Sequence, residues 1–234
     1  WRGLSENLVA YQTALKRWQY ATGWPVFADP LSAISSDQPG LIDSWELLIS
    51  SGSLESETKL QVLRLGPMPS SRFLNNWLLS IGNKQLLITE GDKRNLDPLH
   101  LSNQWSQGFA SWIQRMTQEG FLCENLDISL STQLLKSYEH KDRITQAWLD
   151  KKLPLEGSIS EITLARWLPR LIQTEIPIML AASSPVRDWL SYSGRYALRR
   201  QCFGFRGASG IDGTLSLAMG LSKARGPMLL VTGD

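Results

Sequence analysis

Between residues 204 and 213 glycine recurs at every third position, as Gly204, Gly207, Gly210 and Gly213. Ala208 and Ser209 stand between them, so the backbone carries almost no side-chain bulk and suits a place where a ligand or another strand comes close. Asp212 stands where an N-cap is needed, and Leu215, Leu217, Ala218, Met219 and Leu221 then give an apolar helical face on which Ala218 and Gly220 permit tight packing. The continuous apolar run at 228–231 predicts a parallel strand buried on both faces. It runs out at Gly233-Asp234, and in open parallel sheets the carboxyl end of a strand is where ligands bind. Taken singly, Gly-Asp after a strand is more often a turn than a metal site, and four glycines at period three without proline do not make collagen.

The rest of the chain alternates helical and strand-like stretches. Leu8, Tyr11, Leu15 and Trp18 repeat at helical spacing, Gly23 stops that helix, and 24–28 reads as a short strand. A helical turn is expected over 41–49, a strand over 60–65, and a helix capped by Ser70 or Ser71 that carries Phe73, Leu74, Trp77 and Leu78. Gly82 closes it, 85–89 supplies another strand, and a helix is expected near 104–116. Residues 120–129 lack periodicity and read as a linker. A long helix follows, ending before Pro154. Ser158 and Glu161 have capping-box spacing ahead of the next helix, which Pro169 should kink or shorten. A strand at 176–182, a helix from near Val186 and a strand at 201–203 lead into the glycine run. Such alternation predicts an α/β fold, parallel sheets flanked by helices, with two polar strand ends, near Ser183 and near Asp234, facing one cleft.

Composition narrows the function classes. Of 234 residues, 24 are Lys or Arg and 22 are Asp or Glu, a net charge of +2, too small for nucleic acid or an anionic membrane to be the main partner despite the local cluster Arg195, Arg199, Arg200 and Arg206. No apolar run reaches the roughly 20 residues that span a bilayer. Two cysteines, Cys123 and Cys202, fit a reducing compartment and leave a bridge open. Trp1-Arg2-Gly3 is neither a signal peptide nor an initiator, and the chain stops on a motif's second residue, so both ends read as those of a piece of a longer protein.

Common catalytic sets are absent. His100 and His140 are isolated, there is no Gly-Lys-Ser phosphate loop, and the spacing of the glycines is wrong for a dinucleotide fingerprint. Diphosphate binding fits better, but a helix N-terminus alone offers an anion roughly 0.3 to 1 kcal/mol, up to about 2 when partly buried. A diphosphate therefore needs a cation, and Mg2+ bridges phosphates with one or two protein carboxylates. Any single arginine is more often a surface residue or a structural ion pair, and Arg195, Arg199 and Arg200 are read so. The ten tryptophans sit among aliphatic residues and read as packing.

Phe205-Arg206-Gly207-Ala208-Ser209-Gly210-Ile211-Asp212-Gly213, then a helix and an apolar strand ending Gly233-Asp234, resembles the thiamine-diphosphate-dependent 2-succinyl-5-enolpyruvyl-6-hydroxy-3-cyclohexene-1-carboxylate synthase family of menaquinone and phylloquinone biosynthesis. The run from Arg206 to Gly213 is specific to that family; the Gly-Asp ending is shared by thiamine-diphosphate enzymes generally. Ser183-Ser184-Pro185-Val186-Arg187-Asp188 matches a second family pattern, with Ala182 where relatives often carry asparagine. Trp24-Pro25-Val26-Phe27-Ala28-Asp29-Pro30-Leu31-Ser32, Gly66-Pro67-Met68-Pro69-Ser70-Ser71-Arg72 and Leu96-Asp97-Pro98 look like landmarks of the family's middle domain, with Ser71 replacing a lysine of some relatives.

The resemblance implies a Rossmann-like middle domain over 1–120, lacking its first strand, and a linker with the first half of a diphosphate-binding domain over 121–234. It implies that Ser183, Ile211, Gly233 and Asp234 lie on the cofactor, Ile211 propping thiamine diphosphate in its bent shape. Asp234 would ligate Mg2+, or Mn2+ in its place. Arg187 and Arg206 would bind the carboxylates of 2-oxoglutarate and isochorismate bidentately. By family, the cofactor ylid attacks 2-oxoglutarate, CO2 leaves, and the carbanion equivalent adds to isochorismate. No catalytic residue falls within the chain, because the activating glutamate belongs to an amino-terminal domain of the partner subunit. A cytoplasmic homo-oligomer, dimer or tetramer, is implied, and the isolated chain is expected to be inactive. The alternative from another class is a non-catalytic anion-binding module that kept the fold and lost the cofactor.

Overall fold

The computed structural model describes residues 4–32, 34–54, 60–69, 71–122, 127–204 and 212–233. They divide between two compact units: the first takes Trp1–Phe27, Gln38–Ile42 and Glu46–Lys141, the second Ala28–Asp37, Asp43–Trp45 and Asp142–Asp234. Each is an α/β unit built on a three-stranded parallel sheet.

In the first unit, α1 (Leu4–Thr22) packs on α4 (Phe109–Gln118), and the sheet runs in the order β1 (Val62–Leu65), β2 (Gln85–Ile88), β3 (Ser102–Trp105). All pairs are parallel, with Leu65 beside Ile88 and Ile88 beside Trp105. Leu87, Ile88, Leu78, Phe109 and Ile113 are buried. An aromatic row joins Tyr11 to Phe109 at 6.0 Å, Phe109 to Trp112 at 6.0 Å, Trp112 to Trp18 at 5.0 Å and Trp18 to Trp24 at 5.4 Å. These tryptophans are packing residues, as their aliphatic surroundings in sequence suggest. The short α2 (Trp45–Ser50) occupies the expected helical turn.

Ser71 caps α3 (Arg72–Ile81), its hydroxyl accepting the Leu74 N–H at 3.0 Å, and Gly82 ends the helix. Two expectations fail locally. The strand at 24–28 shrinks to one bridge between Val26 and Leu41, because Pro25 has no N–H to give a ladder. The helix expected near 104–116 starts only at Phe109, since 102–105 is taken by β3. There the side chain of Glu90 does the capping, its Oε1 accepting the Phe109 N–H at 2.8 Å.

The sheet hides an ion pair that no periodicity signals. Arg64, on β1, is 7% exposed and Asp97 3%, and Arg64 Nη1 donates to Asp97 Oδ1 at 2.7 Å. Asp97 also accepts N–H groups of Leu99, Leu101 and Ser102 and the Ser102 hydroxyl, all within 3.2 Å. It thereby pins the loop that feeds β3 to the neighbouring strand system.

In the second unit the sheet order is β5 (Cys202–Gly204), β4 (Ile178–Leu180), β6 (Leu229–Val231), again parallel throughout. Central β4 is wholly buried, and Ile178 and Leu180 form a core with Trp189 and Ala197. Burying each such aliphatic side chain contributes about 1.5–3 kcal/mol. Around the sheet lie α5 (Ser129–Lys152) from Asp142 onward, α6 (Glu161–Leu171), α7 (Ser184–Tyr192), a 3-10 turn (Gly194–Arg199) and α8 (Thr214–Arg225). The cap of α6 is Ser160, whose hydroxyl accepts the Thr163 N–H, two residues beyond the expected Ser158. Pro169 lies inside α6 and the helix ends two residues later, with Arg200 donating to the carbonyls of Pro169, Ile172 and Gln173 that this ending leaves bare.

Two further readings are corrected here. Gly213, with φ of 78°, and not Asp212, is the N-cap of α8, because the chain enters that helix through a left-handed residue that glycine takes without cost. The apolar face of α8 does not enter the core: Leu215 is 64% and Met219 65% exposed, and only Thr214 and Ala218 are buried. Likewise β6 is half-buried on both faces, whereas β4 between its neighbours is closed.

Candidate functional site

Parallel pairing decides which loops meet. Leu180 on β4 stands beside Val231 on β6, and the Ala181 N–H donates to the Val231 carbonyl at 2.9 Å. The carboxyl ends of these adjacent strands open into Ser183 on one side and Thr232-Gly233 on the other. Ser183 and Gly233 thus lie on one edge of one sheet, both exposed. Since β4 connects through α7 to β5 on its other side, the gap between β4 and β6 is the place where strand order reverses and crevices form.

Ser183 is held at φ 76° and ψ −132°, a conformation that a residue with a Cβ rarely takes and that costs on the order of 1–3 kcal/mol. It is the residue before α7, and its side chain does not cap that helix. Instead its hydroxyl accepts Nη2 of Arg187 at 3.2 Å, one helical turn on. The first-turn N–H groups of α7 are left facing the edge, and α8 likewise starts without a side-chain cap from Gly213. Next to Arg187, burial pushes the Asp188 carboxyl up, Glu161 adds to this, and Arg187 opposes it.

Of the residues expected to form the site, Ser183 and Arg187 are therefore brought into contact, and Gly233 sits across the gap with open space where a Cβ would stand. Arg206, Ile211 and Asp234 lie outside the described residues. Among the described residues no three His, Cys, Asp or Glu side chains converge as a metal cluster would require.

Four other arginines of the unit have structural partners. Arg195 Nε pairs with Asp43 Oδ2 at 2.7 Å, Arg199 lies over the Tyr196 ring, and Arg200 holds the end of α6. Arg166 is fully buried and bonds Asp150 at 2.8 and 3.0 Å and the Tyr192 carbonyl at 3.0 Å, tying α6 to α5 and to the end of α7. Arg166→Met keeps the bulk but strands the Tyr192 carbonyl, a loss of about 1–3 kcal/mol. Urea unfolding followed by the fluorescence of the buried Trp189 should show the midpoint falling; an unmoved midpoint would mean the bonds carry no net stability. Burial pushes the Cys202 thiol up to about 12, with Asp29 adding to the effect against Arg200, so this free thiol is no nucleophile.

A contact without local sequence signal completes the edge. The turn at 29–32 packs Leu31 onto the core cluster beside Gly204, the last residue of β5. Its chain neighbours give no hint of this, because the partner lies more than 170 residues away.

A short parallel sheet with helical connections and exposed polar loops at the carboxyl ends of neighbouring strands defines the class: an open α/β domain, a fold in which ligands as a rule bind at that edge. No protein-family model matches the chain. Curated relatives do, each bearing the name 2-succinyl-5-enolpyruvyl-6-hydroxy-3-cyclohexene-1-carboxylate synthase. That of Prochlorococcus marinus (strain MIT 9313) is 59% identical over 234 residues, that of Synechococcus sp. (strain CC9605) 52%, and that of Parasynechococcus marenigrum (strain WH8102) 50%. Each match takes in 100% of this chain and 40%, 39% and 41% of the relative, so the chain spans about two fifths of the length of these relatives. With that likeness along its whole length, the chain belongs to the family of these synthases. No helix among the described residues is long and apolar enough to cross a membrane.

Proposed function

We propose that this chain forms the diphosphate- and carboxylate-binding part of a thiamine-diphosphate-dependent synthase that joins a unit derived from 2-oxoglutarate, with loss of CO2, to isochorismate. The observation that supports the reading is the parallel pairing of β4 with β6, whose carboxyl ends lead into Ser183 and into Thr232-Gly233, with Arg187 bonded to Ser183. Two helix starts without side-chain caps and a glycine with open space above it fit a bound diphosphate. Asp234 continues from Gly233 and would give Mg2+, or Mn2+, one carboxylate, the phosphates supplying other oxygens.

When bound, thiamine diphosphate supplies the carbon nucleophile of the reaction, and the protein supplies position and charge. Arg187 presents a planar fork to a substrate carboxylate, and Ser183 Oγ fixes that fork's direction. Arg206 takes a second carboxylate, and Ile211 gives the cofactor an apolar prop. The activity needs residues outside this chain, the activating glutamate first among them, and operates in a homo-oligomer in the cytoplasm.

A chimera tests this: the Prochlorococcus marinus (strain MIT 9313) synthase with its matching stretch replaced by this chain. Titration with thiamine diphosphate and Mg2+ is expected to give heat of binding, and 2-oxoglutarate with isochorismate to give CO2 and the joined product. A folded chimera that takes up neither cofactor nor substrates would favour a non-catalytic anion-binding module.

A further inference from the structure

Ser183 is the joint between two segments that are each held elsewhere. On its strand side, β4 is closed between its neighbours, and the Ala181 N–H is bonded to the Val231 carbonyl. On its helix side, Trp189 of α7 is 1% exposed, in the core with Ile178, Leu180 and Ala197. A residue with a Cβ keeps φ 76° and ψ −132° only where its surroundings leave no easier setting. At its own position little does so: Ser183 is exposed, and the Arg187 N–H meets its carbonyl at a long 3.4 Å. The rest of the constraint comes from the far end of α7.

The last carbonyls of a helix have no partners within it. That of Tyr192, where α7 ends, accepts Nη1 of Arg166 at 3.0 Å. Arg166, 0% exposed on α6, is itself clamped from α5: Nε and Nη2 both donate to Asp150 Oδ1, at 3.0 and 2.8 Å, and Nη2 also reaches the Gln146 carbonyl at 3.3 Å. The exit is equally tight. Gly194 turns the chain at φ 62°, and a Cβ there would stand 3.4 Å from Gln146 Oε1 and 3.6 Å from Arg166 Nη1. Arg187 precedes Tyr192 on the same helix by about 7.5 Å, at a rise of roughly 1.5 Å per residue. Any slide of α7 that relieved Ser183 would therefore carry Arg187 with it.

We propose that Arg166 is a positioning residue for Arg187: by gripping the Tyr192 carbonyl it holds α7 in the axial setting that strains Ser183 and fixes where the Arg187 guanidinium is presented. The inference rests on the function proposed above. Arg166 is buried and touches no substrate; it acts through α7. A purely structural role would cost stability alone, whereas a positioning role shows in substrate affinity.

In the chimera, Arg166→Met leaves no buried charge unpaired, because Asp150 keeps Arg170 at 3.0 Å. It is expected to raise KM for the dicarboxylate substrates about tenfold with little change in kcat, within the range a small misplacement produces. Amide exchange over 184–188 should quicken relative to β4. Arg166→Lys keeps a donor without the planar fork and should recover part of the affinity. The deciding measurement is a cycle with Ser183. Glycine takes a positive φ without strain, so in Ser183→Gly the helix has nothing to relieve, and Arg166→Met should raise KM there by about twofold or less. Alanine keeps the strain and lacks the same hydroxyl, so in Ser183→Ala an increase of about tenfold should remain. An equal effect of Arg166→Met in the two backgrounds overturns the proposal. So does an Arg166→Met protein that melts lower while its KM and its exchange over 184–188 stay unchanged. Should Arg166→Met not fold, Arg166→Lys carries the same comparison. If the unaltered chimera makes no product, the functional reading fails, and exchange over 184–188 in the glycine and alanine backgrounds still decides whether Arg166 holds α7.

Discussion

Asp97→Ala is expected to destabilise the first unit by about 3–5 kcal/mol, since it leaves the Arg64 guanidinium buried without its counter-charge and strands the N–H groups of Leu99, Leu101 and Ser102. That is a large share of the roughly 5–15 kcal/mol that holds a domain. Asp97→Asn is no remedy, because its NH2 must face donors on one side or the other. Burial pushes the Asp97 carboxyl up, but hydrogen bonds from Arg64, then Ser102 and Leu101, outweigh it and hold the group well below the usual carboxylate range. A carboxyl depressed in the folded state adds stability that is complete above its unfolded value of about 4 and is lost as pH falls toward the folded one. Urea unfolding of the wild-type chain, read by amide exchange of β1 to β3, should therefore weaken progressively below about pH 4, and Asp97→Asn should show a flatter acid limb from a lower starting point. Equal slopes for the two proteins would remove Asp97 as the cause.

The second large effect falls on activity. Arg187→Ala in the chimera should lower kcat/KM by about thirtyfold or more, because truncating one partner of a charge pair that becomes desolvated costs on the order of 2–5 kcal/mol. Folding should be untouched, as Arg187 is exposed and its guanidinium bonds the exposed Ser183. Arg187→Lys keeps the charge but loses the planar fork, so it should recover only part of the rate. Ser183→Ala removes the bond that aims the fork and should show a smaller loss. Wild-type kcat/KM in Arg187→Ala would strike this residue from the substrate side.

What could be read in advance was governed by the range of the forces involved. Ser71, one of the two caps read for α3, is the one used, because a cap is a bond to an N–H three residues away and is written in adjacent letters. The same local rule misplaced the start of α6, since Ser158 and Ser160 both qualify and only the packed helix selects between them. Strand β4 announced itself by unbroken apolarity, the mark of a central strand. Strand β3 did not: Ser102-Asn103-Gln104-Trp105 at the edge of its sheet needs only one bonded neighbour and no apolar run. Arg64 is the sharpest case, a charged residue buried in a strand because a carboxylate from a distant loop meets it there.

For the candidate site the division is similar. The motif residues could be named one by one, since glycine spacing, the Ser183 to Arg187 interval and the Gly233 ending are each local patterns. That two strand ends would face one cleft followed from the α/β class, but which strands are neighbours could not be read, because it depends on pairing between distant segments.

By itself the sequence determined the order of helices and strands, the parallel α/β class and the family, all of which rest on periodicity and short motifs carried within a few residues. Only the tertiary structure decided that β4 lies between β5 and β6, that Ser183 and Gly233 share an edge, that Arg64 finds Asp97, and that Leu31 closes on Gly204. These are contacts between segments far apart along the chain. They are chosen by the collective burial of apolar surface and the pairing of buried polar groups, and no neighbouring residue encodes them.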